Sequence, residues 1–263
     1  MYRAAKIYFV FVTFAVLIGT FLSFETRGQN NPGNLAAAED LNRQAISQIN
    51  ARQFEKAIDL LSKAVKVDAT FAEGHMNLGS AYYLANQPET ALVHLKRGLD
   101  LDPKSFKGYN QLGVVYDKLG KRDQCIESLK MAVELNPDYG LGHYNLGAAY
   151  LYANRLKPAQ AALERAAQLE PTNNNIKIYL GAVYALQNRF SDAIAAVKKI
   201  TKTEPNDAQA NLMLCKIYLL ANDRQSALDM YQSFKVKDGP LADEMFRTIF
   251  ADKVVIAPPN PQR

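Results

Sequence analysis

Tyr82, Tyr116, Tyr150, Tyr184 and Tyr218 stand 34 residues apart, and nothing else restricts the fold of this chain so strongly. Tyr makes up only 14 of 263 residues, so five recurrences at one phase mark a true repeat. A fixed period of this length means a stacked array of one supersecondary unit. The same step carries Leu78, Leu112, Leu146, Leu180 and Leu214, and also Gly79, Gly113, Gly147 and Gly181. Pro103, Pro137, Pro171 and Pro205 form another column, and Ala57, Ala91, Ala159, Ala193 and Ala227 a further one.

Each column has a physical cause. Gly in a first helix and Ala in a second remove bulk where two helices cross, so the axes approach closely while Tyr and Leu fill the space around the contact. Pro ends each unit, because the residue before it (Asp102, Asn136, Glu170, Glu204) is driven out of the helical region while Pro itself suits a helix start. Asn86, Gly120, Asn154, Asn188 and Asn222 recur at the same step, and Asn and Gly are the residues that accept a left-handed conformation past a helix C-terminus. Two amphipathic helices per unit, joined by a tight turn, follow.

The pattern resembles the tetratricopeptide repeat family, whose Leu-Gly-x-x-Tyr core stands here as Leu78-Gly79-Ser80-Ala81-Tyr82 and runs through to Leu180-Gly181-Ala182-Val183-Tyr184. The resemblance implies an all-α, right-handed superhelical solenoid of about six helix-turn-helix repeats. The columns place these at 38–71, 72–105, 106–139, 140–173, 174–207 and 208–239. The first unit is degenerate, with Ala45, Gln48 and Ala69 in the Gly, Tyr and Pro columns, and the sixth has Cys215 in the Gly column. Atypical end repeats are expected where an outer face meets solvent. Residues 240–252 read as a capping helix with Leu241, Met245, Phe246, Ile249 and Phe250 on one face, and 253–263, with Pro258, Pro259 and Pro261, as a flexible tail.

The N-terminus differs in kind: Arg3 and Lys6 precede an apolar run from Ile7 to Phe24, the signature of a signal peptide or a single membrane anchor within residues 1–28. In both readings the basic end stays cytoplasmic and the rest is exported, periplasmic, secreted or anchored through residues 7–24 if uncleaved. No Cys lies near this run, which excludes a bacterial lipoprotein anchor. Residues 29–37 read as a linker. Loss of residues 1–28 removes Arg3, Lys6, Arg27 and Glu25, so the net charge falls from +5 to +3. That mild charge is spread among acids, and a nucleic-acid footprint is absent; Lys198, Lys199 and Lys202 read as a solvated helix face.

Catalytic and cofactor signals are missing. His75 and His143 sit two periods apart, roughly 20 Å in a stack of helices, too far to share a metal, and His94 has no ligand at metal spacing. Cys125 and Cys215 occupy small-residue columns as buried thiols, too distant for a disulfide. Gly140 and Gly142 open a helix but follow no strand, so no phosphate loop is implied. The chain reads as a non-enzyme without cofactor or metal.

The family resemblance implies that first helices line a concave groove for a peptide or partner helix. Transferred residue by residue, Asn77 and Asn145 take the position from which the family holds a ligand backbone, with Gln111 between them and Tyr179 and Met213 replacing the amide further on. Of the five-residue carboxylate clamp of chaperone-binding members, only Asn77 and Lys107 match, with Asn42, Ile46 and Gln111 at the other three positions, so that mechanism is not implied. Tyr144, Leu151, Tyr152, Ile178, Tyr179, Leu186, Leu212, Met213, Leu219 and Leu220 make the C-terminal half of this groove apolar. Two readings stay open: packing between neighbouring first helices, or an exposed surface for an amphipathic partner. The function implied is a protein-binding scaffold or adaptor, with envelope or pilus-like assembly as a use known of similar exported repeat proteins. The alternative is a regulatory or substrate-recruiting subunit of a separate enzyme.

Overall fold

The computed structural model describes residues 32–234 and 239–251, together with 254 and 256. The signal or anchor segment at 1–28, residues 29–31, and most of the tail at 253–263 lie outside the described residues. Among the described residues there are thirteen α-helices and no strand, and no helix is long and apolar enough to cross a membrane.

The helices form two compact units, one ending at Lys104 and the other beginning at Ser105. The first holds two hairpins, α1 (Pro32–Asn50) with α2 (Phe54–Val67) and α3 (Ala72–Leu84) with α4 (Pro88–Leu101). The second holds α5 (Phe106–Lys118) with α6 (Arg122–Leu135), α7 (Gly140–Tyr152) with α8 (Leu156–Leu169), α9 (Asn174–Leu186) with α10 (Phe190–Thr203), α11 (Ala208–Leu220) with α12 (Arg224–Phe234), and a last helix α13 (Gly239–Ile249). Both units are all-α helical-repeat stacks.

The turn within each hairpin closes by one mechanism. Arg52, Asn86, Gly120, Asn154, Asn188 and Asn222 all have φ between 56° and 70°. The N–H of the next residue donates back to the Tyr-column carbonyl, as Gln87 does to Tyr82 at 2.8 Å and Arg189 to Tyr184 at 2.8 Å. That bond and the left-handed residue together form a Schellman cap. The first hairpin uses the same bond, from Gln53 to Gln48 at 2.8 Å, so Arg52 holds the left-handed conformation without the residue type that favours it.

Between hairpins the chain turns at an extended residue. Asp102 and Asn136 accept from Lys104 N and Asp138 N through their own side chains, both at 3.1 Å. Asp68 has no Pro after it, yet its carboxylate takes both the Thr70 N–H at 2.8 Å and the Thr70 hydroxyl at 2.7 Å, which sets the same junction.

Within a hairpin the small column meets a bulky one 16 residues on. A Cβ at Gly79, Gly113, Gly147 or Gly181 would lie 2.5 to 2.7 Å from Leu95, Leu129, Leu163 or Val197. In the first hairpin Ala45 and Leu61 hold these two positions, both fully buried.

Two expectations are corrected. Residues 32–37 belong to α1 and not to a linker. Pro is tolerated in a first turn and the Leu-Ala-Ala-Ala run that follows favours helix. In α13, Leu241, Met245 and Ile249 are buried with Ala242, but Phe246 and Phe250 turn to solvent instead of sharing that face. The helix packs on α11 and α12 through the 241/245/249 stripe, which leaves positions 246 and 250 half-exposed at its edge, beside Tyr231 and Arg224 of α12.

Candidate functional site

Within each unit, first helices pack against each other so that a residue meets the one 35 positions later, one beyond the repeat. Asn77 donates through Nδ2 to Asn42 Oδ1 at 2.8 Å, and Asn42 donates to Glu73 Oε1 at 3.3 Å. Asn145 donates to Asn110 Oδ1 at 2.9 Å in the second unit. At the same step, the Tyr144 and Tyr179 rings meet edge-on with centroids 5.2 Å apart. The contact thus changes from amide–amide to aromatic as side chains at these positions become apolar.

This arrangement divides the expected groove residues. Asn42 and Asn110 are buried, whereas Asn77 and Asn145 stay half-exposed. Asn77 Nδ2 serves Asn42 and Glu73, whereas Asn145 Nδ2 donates one bond, to Asn110, and among the described residues no partner takes either carboxamide oxygen. Both can therefore accept from a ligand N–H, and Asn145 keeps a second N–H to donate. Glu73, which also lies 3.5 Å from Asn77 Nδ2, adds a carboxylate beside the first pair. In the second unit, Lys107 is exposed and Gln111 half-buried, with its Oε1 buried and unpartnered among the described residues.

Tyr144, Tyr179 and Met213, expected in an open groove, are corrected to core positions at 5%, 1% and 2% exposure. They join a continuous cluster built from α7 to α13, because adjacent first helices approach closely enough to enclose these side chains. Ile178 and Leu151 are buried in it too. Tyr152 is half-buried at the edge, its hydroxyl 3.1 Å from that of Tyr179. Burial pushes the Tyr144 phenol up to about 12 and raises Tyr179 further, so both remain protonated.

Some apolar surface remains accessible. Leu141 and Leu186 are about 40% exposed, and Leu212, Leu219 and Leu220 are half-buried. A cleft of about 250 Å³ opens between α11 and α13, lined by Ala208, Gln209, Leu212, Pro240, Leu241 and Glu244.

One cluster was not anticipated. His94 of α4 lies between His75 and Tyr82 of α3, with stacked rings at centroid distances of 5.8 and 5.4 Å. Burial lowers the pKa of both imidazoles, and His75 Nδ1 has no partner among the described residues. A signal for it lies in the seven-residue spacing of His75 and Tyr82, which puts both on one face of α3. Among the described residues no group of three or more metal-capable side chains occurs. Cys125 and Cys215 are buried, and desolvation raises both thiols, to about 12 and about 11.

The fold is an all-α helical-repeat solenoid, an architecture that suggests a protein–protein interaction scaffold. Three tetratricopeptide-repeat family models match, at residues 79–120, 106–139 and 150–211. The chain belongs to the tetratricopeptide repeat family, whose domains generally bind protein or peptide partners and are generally not enzymes. Among solved structures it is similar to pilF of Pseudomonas aeruginosa, with TM-score 0.70, 17% identity, and coverage of 82% of this chain and 98% of that one. It is also similar to MamA, with TM-score 0.57, 25% identity, and coverage of 62% and 96%. A third similar structure is YrrB, described as a tetratricopeptide protein with an unusual peptide-binding site, with TM-score 0.60, 22% identity, and coverage of 71% and 97%. A comparison with curated proteins gives no match.

Proposed function

We propose that each of the two units holds an extended peptide or a partner helix along its first helices, within an envelope complex on the far side of a membrane. The observation that carries the binding reading is the pair of half-exposed amides, Asn77 and Asn145, each held in place by a buried Asn of the preceding first helix. An acceptor fixed in this way loses little freedom when a ligand N–H meets it. Lys107 and the exposed Leu141 and Leu186 supply charge and apolar area on the same set of helices. The peptide-binding description of YrrB supports the reading by analogy of fold. The envelope location rests on Arg3, Lys6 and the apolar run that follows.

Photo-crosslinking tests both parts. A benzophenone amino acid at Leu186 or Leu141 of the full chain, in native membrane extract, is expected to capture a discrete protein partner. The same probe at Met131, exposed on the second helix α6, is expected not to. Lys107→Glu and Asn145→Ala should lower the yield about tenfold, the loss of one or two polar contacts. Equal capture at all three sites, or adducts indifferent to both substitutions, would overturn the groove reading. Adducts that form only before membrane translocation would overturn the location, and capture of an enzyme whose turnover changes would favour the regulatory-subunit alternative.

A further inference from the structure

The last helix of a repeat stack normally turns a polar face to solvent. On α13 the outward stripe is Asp243, Phe246, Arg247 and Phe250, at the i, i+3, i+4, i+7 spacing that makes one helical face. Phe246 is 46% and Phe250 54% exposed, and their rings lie 4.6 Å apart. Tyr231 of α12 extends the row with its centroid 5.7 Å from that of Phe246, and Arg224 covers the far side of Phe250 at 5.3 Å. Asp243 and Arg247, one turn apart and able to pair with each other, make no ion pair among the described residues. The stripe is therefore an aromatic row flanked by one acid and one base that are unpaired among the described residues.

We propose that this face docks on the same face of a second copy of the chain, with the two α13 helices antiparallel about a two-fold axis. The charge pattern selects this occupant. A two-fold contact is self-complementary, so an acid and a base placed symmetrically about its centre satisfy each other twice. Setting Asp243 opposite Arg247 of the second copy centres the axis near Met245. At about 1.5 Å rise per residue, the two Phe246 side chains are then offset by only about 3 Å along the axis and stack. Parallel pairing would set acid against acid and base against base. Such a contact would join two scaffolds, with the gain in avidity that follows.

The test is the mass of the full chain in detergent micelles by light scattering and sedimentation equilibrium. A dimer is expected, and Phe246→Ser with Phe250→Ser should make it monomeric without loss of helical circular dichroism. Asp243→Arg alone and Arg247→Asp alone should each weaken the dimer about tenfold, two like-charge contacts at once, and the double swap should restore it. A monomer at 100 micromolar (roughly Kd above 10⁻⁴ M) overturns the proposal, as does association unmoved by the Phe substitutions. A double swap that fails to recover association overturns the antiparallel register. A monomer that dimerises only after deletion of residues 257–263 would make the chain's own C-terminus the occupant, which also overturns it.

Discussion

Replacing Gly147 by Ala tests whether steric closeness, not helix preference, governs the Gly column. A Cβ at that position would lie 2.5 Å from Cγ, 2.9 Å from Cδ2 and 3.2 Å from the backbone nitrogen of Leu163. Carbon pairs rest at about 3.5 to 4 Å, so the helices must part or Leu163 must move by about 1 Å. Leu163 is fully buried, so it has no solvent to turn into. Overpacking of this kind costs about 1–3 kcal/mol, and the better helix propensity of Ala returns about 1 kcal/mol. The net expectation is a loss of about 1 kcal/mol, read as a lower urea midpoint of the helical signal. Three positions serve as controls. Gly239 has nothing within 4 Å of its would-be Cβ, so Gly239→Ala should be neutral or stabilising. Gly120 is equally open but has φ +70°, so Gly120→Ala should cost about 1 kcal/mol through the backbone alone. Ala45 already occupies the equivalent site opposite Leu61, so Ala45→Gly should cost about 1 kcal/mol instead of relieving anything. A Gly147→Ala protein more stable than the parent, or a Leu163→Ala penalty no smaller in the Gly147→Ala background, would refute the steric account.

Arg52→Asn should stabilise the first hairpin by about 0.5–1 kcal/mol, because Arg52 sits at φ 57° where the other hairpins place Asn or Gly, and its urea midpoint should rise. Stability should also fall as pH drops below about 6.5, since burial keeps His75 and His94 neutral in the fold while the unfolded chain takes up their protons near the ordinary histidine value. After burial, the groups that lower the His75 pKa are His94, whose own protonation would repel a charge on His75, and the Arg97 guanidinium, and both work in the same direction. His94→Phe, which keeps a ring in the stack, should flatten the pH profile of the thermal midpoint between pH 7.5 and 5.5 (roughly one unit either side of the free imidazole value). Cys125 and Cys215 should alkylate more than about a hundredfold more slowly in the folded protein than in urea at pH 8, as raised thiol pKa and burial both suppress the thiolate. Labelling at equal rates in both states would place them outside the core.

The sequence by itself determined the hairpins, because their determinants are local. Pro after an extended residue, Asn or Gly past a helix end, and Gly facing a Leu 16 residues on act within one 34-residue unit, so their periodicity survives in the linear text. The degenerate first unit shows how far this reaches: Asp68 with Thr70 replaces the missing Pro by a side-chain turn, which becomes readable only when the acceptor geometry is seen. Contacts between first helices are a different matter. They join residues 35 apart, so a column read at 34 pairs each side chain with the wrong neighbour. That one-residue diagonal decides that Asn77 bonds Asn42, that Tyr179 packs on Tyr144 in the core, and that Tyr152, Leu186 and the amide oxygens remain at a surface. The expected burial of Phe246 and Phe250 failed for a related reason. Leu241, Met245, Phe246 and Ile249 on the 11-residue helix, with Phe250 just past its end, span more of its circumference than α11 and α12 can cover, and the packing chose the Leu241, Met245 and Ile249 stripe. Local chemistry therefore settled the repeat, and the packing of one helix layer on the next settled which of its side chains can meet a partner.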